Sequence, residues 1–475
     1  MKTLDQFSCL SPIDYRYDED HGMTAFLSED AFTEYKRRYE KALLAAVARR
    51  LAPRGLAPAD AEDRFERSCP VVFTDEVYEA ERGNKATGVK GVKHDLRAQV
   101  IVMAKRCDPE VARLLHIPDT SWDTIGTANV ARYRDAIGEI LLPRLLHLEE
   151  QLIEIAVREA ETVCIGRTHR RHAVPITFGF AMSEYVERLG DCIVSLRTLL
   201  SRLRGKSSGA CGAHNAASVL FDDPEAFELD VVFGAFKLEP ARHSTQVLPP
   251  EPLMRMFHEL QLVAGVIANL SRDLCQLMRD EIDEVVEAEN PEEVGSSTMT
   301  HKPPNPIVFE NAESMWKVLT GRYVTVLLDQ LKEHQRDLSD SFSSRQYVEA
   351  IAYLSGVVKK VTGALRRLRV NREAMERNLA IHGDRLLGEK LYVLLAVEAK
   401  CDGANQLVRD LGRRAREENK PLADVAKTLP VVRDYLATLS PELQNSFFDP
   451  HKYTGIAVDK TRNVAIWWKQ KLGLQ

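Results

Sequence analysis

Apolar residues recur at three- and four-residue steps over most of the chain, the spacing of helices that each bury one face. The plainest stripe is Leu253, Phe257, Leu260, Ala264, Ile267, Leu270, Leu274 and Leu277, which predicts one long packed helix with seam-like spacing. Leu43, Leu44, Val47 and Leu51 mark a helix that begins near Ser28. Ile125, Ala128, Val130, Ile137, Ile140, Leu141, Leu145 and Leu148 predict another, following the turn IPDTSWD and running to roughly Val163. Further helices are predicted over Phe73–Ala80, Lys93–Arg106 and Phe180–Leu203, from Met315 to Gln330, and over Val348–Leu368. Stripes this long are buried by packing against other long helices. Val219 to Arg242 is less regular, and no run of alternating positions predicts a strand series. The last hundred or so residues, punctuated by Pro421, Pro430 and Pro441, read as a smaller helical domain with a docked tail. The expectation is an all-α chain in three regions: an N-terminal helical domain (1–116), a central long-helix bundle (117–368) and a C-terminal helical domain (369–475).

The breaks between these helices are rich in chemistry. Val294 to Glu313, VGSSTMTHKPPNPIVFENAE, carries Gly295, paired serines, Lys302 and three prolines. It cannot continue either flanking helix and reads as a loop between two rods. Gly166 to Gly179 holds Arg167, His169, Arg170, Arg171 and His172. On residues alone it is either a basic surface turn or an anion-handling loop. Gly205 to Asn215, GKSSGACGAHN, is a small-residue loop that lets a backbone approach closely. It lacks the spacing of a nucleotide P-loop. Lys93, His94 and Asp95 open a helix, where an acid suits the positive end and His94 reads either as a mere cap or surface residue or as a functional group. Arg16 and Tyr17 sit beside an acidic run and read locally as a solvated arm.

Composition narrows the classes. Charged residues make up 28%, apolar residues 44%, and the net charge is −6, as in a soluble globular protein. That balance disfavours a nucleic acid polymer as partner but leaves a local phosphate site open. Eight cysteines without CxxC pairs read as reduced thiols of a cytoplasmic protein. No signal core and no membrane span is visible.

The motifs agree with one another. SPIDYRY (Ser11–Tyr17), KHDLRA (Lys93–Ala98), TSWD (Thr120–Asp123), GRTH (Gly166–His169), TQV (Thr245–Val247), GSSTM…K…NP (Gly295–Pro306) and QRDLSDS (Gln335–Ser341) together resemble the fumarase/aspartase superfamily of lyases. Within it, the chain is most similar to the adenylosuccinate lyase family. The resemblance covers most of the chain. It implies a central helical bundle, a homotetramer whose active sites are shared between subunits, and no metal or cofactor. The implied reaction is β-elimination of fumarate with cleavage of a C–N bond, on the small-molecule nucleotide substrates adenylosuccinate (giving AMP) and SAICAR (giving AICAR).

The resemblance also implies roles. Ser296 is the expected carbon-proton base and His169 the general acid. His94 and Asp95 orient the substrate or its proton network, with Lys93 beside them. Thr120, Ser121, Gln246, Lys302 and Asn305 would bind the succinyl carboxylates and neighbouring polar groups, with Met299 in the same loop. Glu310 would orient a catalytic group. Arg16, Tyr17, Arg336, Ser341 and Arg345 would hold the phosphate, and Gly209, Ala210 and Asn215 would build a close turn near the pocket. The chain departs from the family pattern at Tyr15, Arg171, Thr300 and the Pro303–Pro304 pair. Arg171 adds a cation where the family commonly has glutamine, which points towards a more anionic or differently shaped substrate. Another fumarate-releasing lyase on an N-succinyl or aminosuccinate substrate is the first alternative. A muconate cycloisomerase-like activity and a catalytically reduced helical assembly protein are the others.

Overall fold

The computed structural model describes residues 11, 13–84, 88–288, 298–299 and 304–474. The predicted stripes fold as helices. Ser28 caps α1 (Glu29–Leu51) by accepting the Ala31 N–H, and His94 caps α2 (Asp95–Arg106) through its ring nitrogen. A Thr120–Asp123 capping box opens α3 (Ser121–Ala136), the reciprocal arrangement that satisfies two orphan donors at once. A π-helical turn at Ile137–Leu141 joins α3 to α4 (Leu142–Arg158). The predicted single rod therefore runs through a bulge and ends five residues earlier than Val163.

Past α4 the chain forms a β-hairpin rather than an irregular loop: β1 (Val163–Thr168) pairs antiparallel with β2 (Arg171–Thr177). Thr162, Val163, Ile165, Thr168, Val174, Ile176 and Thr177 are β-branched and favour the extended chain, a signal that the dense basic charge obscures. The hairpin feeds α5 (Phe178–Ser201). The irregular stretch after Val219 contains α6 (Pro224–Phe236), capped by Asp223 with Pro224 in its first turn. This helix is apolar nearly all round, so it shows no stripe for periodicity to detect. Then come α7 (Glu251–Leu277), β3 (Val285–Glu287), α8 (Ile307–Leu328), α9 (Tyr347–Arg366), β4 (Leu368–Val370) paired antiparallel with β3, and, after several short helices, α10 (Ala457–Leu472).

The chain divides into two compact units: residues 1–145, 192–265 and 314–359; and residues 146–191, 266–313 and 360–475. In the first, α1 packs on α3 and α6 through Leu43, Leu44, Val47, Ala128, Ala131, Phe227 and Val231, all buried. In the second, Ile165 of the hairpin packs against Leu379 and Leu386, and a separate core gathers Leu391, Leu395, Leu411, Val432 and Phe447. The predicted docked tail, Phe447 to Asp459, starts with Phe447 in that core and passes through a turn at Pro450–Lys452 into α10, whose Trp468 is buried and donates its indole N–H to Glu187 at 2.8 Å. Among the described residues no helix is long and apolar enough to cross a membrane.

Candidate active site

In the first unit the N-termini of α2 and α3 meet. His94 Nδ1 accepts the Arg97 N–H at 3.4 Å, and its Nε2 lies 3.2 Å from Ser121 Oγ. An accepting Nδ1 leaves the proton on Nε2, so the neutral ring donates to Ser121. Asp95 faces the buried Lys36 at 3.6 Å. Lys93, beside them, is exposed and has φ 56°.

One residue beyond Ser121, Trp122 carries a guanidinium: Arg336 Cζ sits 4.0 Å from the ring centroid. Arg336 donates from Nη1 to Asp340 at 2.9 Å, while Nε and Nη2 are buried and make no hydrogen bond within the described residues. A buried guanidinium with unused donors is costly unless an acceptor meets it. One turn on, Arg345 Nε donates to the Ser341 carbonyl at 3.3 Å, and both residues are exposed. Tyr17 packs edge-to-face on Tyr353 of α9 at 5.2 Å. That approach needs Gly356, where a Cβ would lie 2.2 Å from the Tyr17 carbonyl oxygen. Arg16 is exposed and Gln246 half-buried.

In the second unit His169 and Arg170 form the two-residue tip of the hairpin, between the paired Thr168 and Arg171. Their φ angles are 53° and 63°, the left-handed geometry such a tip requires and that Asn-Gly usually supplies. A histidine and an arginine there store backbone strain, which concentrates at functional sites. His169, Arg170 and Arg171 are all exposed. The base of the hairpin is fixed by charge: Arg167 makes two hydrogen bonds to the buried Glu284, 2.8 and 2.6 Å long, and Asn378 donates to the same carboxylate at 2.9 Å. Across from Arg167 in the register, His172 meets His382 edge-to-face at 5.2 Å. Burial pushes the His172 imidazole below its usual pKa, and the Arg167 and His382 charges add to this. A cleft of about 1040 Å³ runs along the hairpin, lined by Arg167, Arg170, His172, Asp273, Arg279 and Glu284 among others.

Met299 and Asn305 are exposed, and Glu310 is exposed in the first turn of α8. Ser296, Lys302, Thr300 and Pro303 lie outside the described residues. The structure thus brings together His94 with Ser121 and Ser341 with Arg345, and seats Arg336 on the neighbour of Ser121. It shows no contact of His169 with Glu310. Asp119, Asp123, Lys206, Glu284 and His382 carry no site role among the sequence-based expectations. Of these, only Asp123 carries a local signal, as the acidic third residue of a Thr-x-x-Asp box.

A helical chain with this hairpin and these helix N-termini has the architecture of the fumarase/aspartase lyases. It superposes on a 3-carboxy-cis,cis-muconate lactonizing enzyme from Pseudomonas putida with a TM-score of 0.80 and 25% identity, covering 97% of this chain and 99% of that one. A fumarate lyase from Mesorhizobium gives 0.79 at 23% identity over 96% and 99%. A lyase family model matches residues 19–321, and an adenylosuccinate lyase C-terminal model matches residues 332–447. The chain is 32% identical to the adenylosuccinate lyase of Pyrococcus abyssi, over 95% of its own length and 96% of that protein. It is 26% identical to an N-acetyl-S-(2-succino)cysteine lyase of Enterococcus italicus, over 90% and 91%. The chain belongs to the adenylosuccinate lyase family, carbon–nitrogen lyases that release fumarate.

Proposed function

We propose that the chain cleaves adenylosuccinate to AMP and fumarate, and SAICAR to AICAR and fumarate. The observation that carries this reading is Arg336. Its unused buried donors sit on the ring next to the Ser121–His94 pair, so a phosphate-binding cation lies beside the residues assigned to the succinyl end. Ser341 and Arg345 extend that cationic end, and Arg16 and Tyr17 complete it. Guanidinium groups suit a dianionic phosphate geometrically and electrostatically.

In the proposed reaction Ser296, activated near Lys302, removes a proton from the carbon beside a succinyl carboxylate. The C–N bond breaks, His169 protonates the departing nitrogen, and the electron pair left on carbon closes the double bond of fumarate. Thr120, Ser121, Gln246, Lys302 and Asn305 hold the carboxylates and adjacent polar groups, His94 and Asp95 orient the substrate or its proton network with Lys93 beside them, Met299 meets the substrate from the loop and Glu310 orients a catalytic group. The strained, exposed placement of His169 supports its role at the reacting centre. We assign the three regions 1–116, 117–368 and 369–475 to the family's domains, a cytoplasmic setting, and a part in purine biosynthesis. The assembly is a homotetramer. The first unit supports this with Val318, Val324, Leu327 and Leu328 of α8, which are 47, 46, 45 and 69% exposed, more apolar surface than one helix of a monomer usually shows.

A second reading, another N-succinyl or aminosuccinate substrate, is favoured by Arg170 and Arg171 flanking His169. The purified chain should be given adenylosuccinate, SAICAR and aminosuccinate analogues, with fumarate and the nitrogen product followed together. Release from both purine substrates is expected. Turnover of an analogue alone would replace the main reading with the second, and no release at all would defeat both.

A further inference from the structure

A single buried carboxylate in the first unit ties the Thr120–Ser121 segment assigned to substrate to the small-residue loop, and through that loop to the segment of Gln246. Asp123 is wholly buried and ion-paired with Lys206, also wholly buried. One of its oxygens, Oδ1, takes the Lys206 ammonium and the backbone N–H groups of Ser208 (2.9 Å) and Gly209 (3.2 Å). The other, Oδ2, takes the Thr120 N–H at 2.8 Å. Lys206 also donates to the Gly209 carbonyl at 3.3 Å. The loop thus held passes its order on: Ser208 Oγ lies 2.7 Å from Ser244 Oγ, two residues before Gln246. At Gly212 (φ 78°) a Cβ would stand 2.1 Å from the Ser244 carbonyl oxygen, so the loop and the Ser244 segment touch backbone to backbone.

A second layer backs the first. Ser207 Oγ donates to Asp119 at 2.8 Å, Tyr39 donates to Asp119 at 2.5 Å and to the Lys206 carbonyl at 2.9 Å, and the Ser207 N–H donates to Glu228 at 2.8 Å. Burying this many charged and polar groups is unfavourable for folding unless each is met by a partner. A network of this kind does not improve on an apolar core for stability, but it does fix geometry. Its free ends are Thr120–Ser121, Gly209–Asn215 and Thr245–Gln246.

We propose that Asp123, neutralised by Lys206, is a positioning residue for the lyase reaction, the one group that sets these three segments in mutual register. This rests on the assignment of Thr120, Ser121 and Gln246 to the succinyl carboxylates. Two accepting oxygens are required: a side-chain amide accepts with one end only and presents N–H groups to the donors that face the other.

The test uses the full chain as Asp123→Asn/Lys206→Met, which removes both charges of the ion pair and leaves neither without its partner. It is expected to keep most of its melting temperature. Its kcat/KM is expected to fall roughly 100-fold on the substrate the natural chain turns over, with KM raised, and its fumarate affinity by calorimetry to drop about tenfold. Leu44→Ala, a cavity in the α1 core, should lower the melting temperature while leaving KM in place. Equal kinetic losses in both, or a stable double variant with unchanged KM and fumarate affinity, would overturn the proposal. Ser208→Ala/Ser244→Ala removes both partners of one link at little cost in stability, and should raise KM several-fold. An unchanged KM there would also count against it. If the natural chain releases fumarate from no substrate, the proposed function fails, and the fumarate affinity of the variants still decides this proposal.

Discussion

The residues assigned to recognition in the first unit and the residue assigned to proton transfer in the second are held by opposite means. In the first, Ser121, His94 and Arg336 stand on helix ends and a ring that are already locked: a capping box, an imidazole cap and a stacked guanidinium. In the second, His169 stands on a two-residue tip with both φ angles positive and its side chain in solvent. Only the base of that hairpin is anchored, by Arg167, Glu284 and Asn378. Recognition needs fixed donors, because disorder lowers affinity. A proton donor needs reach and access, and a strained tip provides both without a packed surround. The difference suggests that binding and proton transfer can be impaired separately.

The largest expected break is His169→Ala. It should lower kcat by roughly 10²–10⁴-fold and leave unfolding by denaturant nearly unchanged, because the side chain is exposed. A loss of stability equal to a buried substitution would show that the tip is structural. Next is Arg336→Ala, which should cost roughly 1.5–3 kcal/mol of binding to phosphate-bearing substrates, a KM effect of about 10- to 100-fold. Equal loss on a phosphate-free nucleoside would point to folding instead. Third, Arg170→Gly at φ 63° relieves left-handed strain, partly offset by the greater freedom of glycine in the unfolded chain. A net gain of about 0.5–1 kcal/mol is expected in denaturant unfolding.

The smallest effect is on pH dependence. His172 and His382 are both pushed below the ordinary 6.5, first by burial, then by Arg167 and His382 for the former and by Arg385 and Arg416 for the latter. The unfolded chain then binds protons that the folded chain refuses, so stability falls as pH drops below about 6.5. His172→Asn/His382→Asn should flatten the decline in melting temperature between pH 7 and about 5. Asp20 acts lower: burial would raise it, but Lys359 and Arg144 hold it at about 2 against an ordinary 3.8. Its contribution is lost only below that ordinary value. An unchanged slope in the double variant would remove the histidine pair as the cause.

The helical architecture was readable wherever apolar residues recur along one face, as over Leu43–Leu51 of α1 and along α7. It was not readable for α6, apolar on every side, nor for the hairpin, whose β-branched residues are interleaved with arginines. Among site residues, the cap positions of His94 and Thr120 follow from their place before a periodic run. The proposed phosphate end is different: Arg336 meets Trp122 across more than two hundred positions of sequence, a contact that no local spacing encodes. Lys206 is likewise a lysine in a glycine-serine loop until the fold seals it against Asp123.

The separation of recognition from proton transfer is tested most directly by AMP binding, measured by calorimetry on the natural chain, His169→Ala and Arg336→Ala. His169→Ala is expected to bind AMP within a few-fold of the natural chain while failing to turn over substrate, and Arg336→Ala to bind it at least roughly tenfold more weakly. Loss of AMP binding in His169→Ala, or its retention in Arg336→Ala, would contradict that separation.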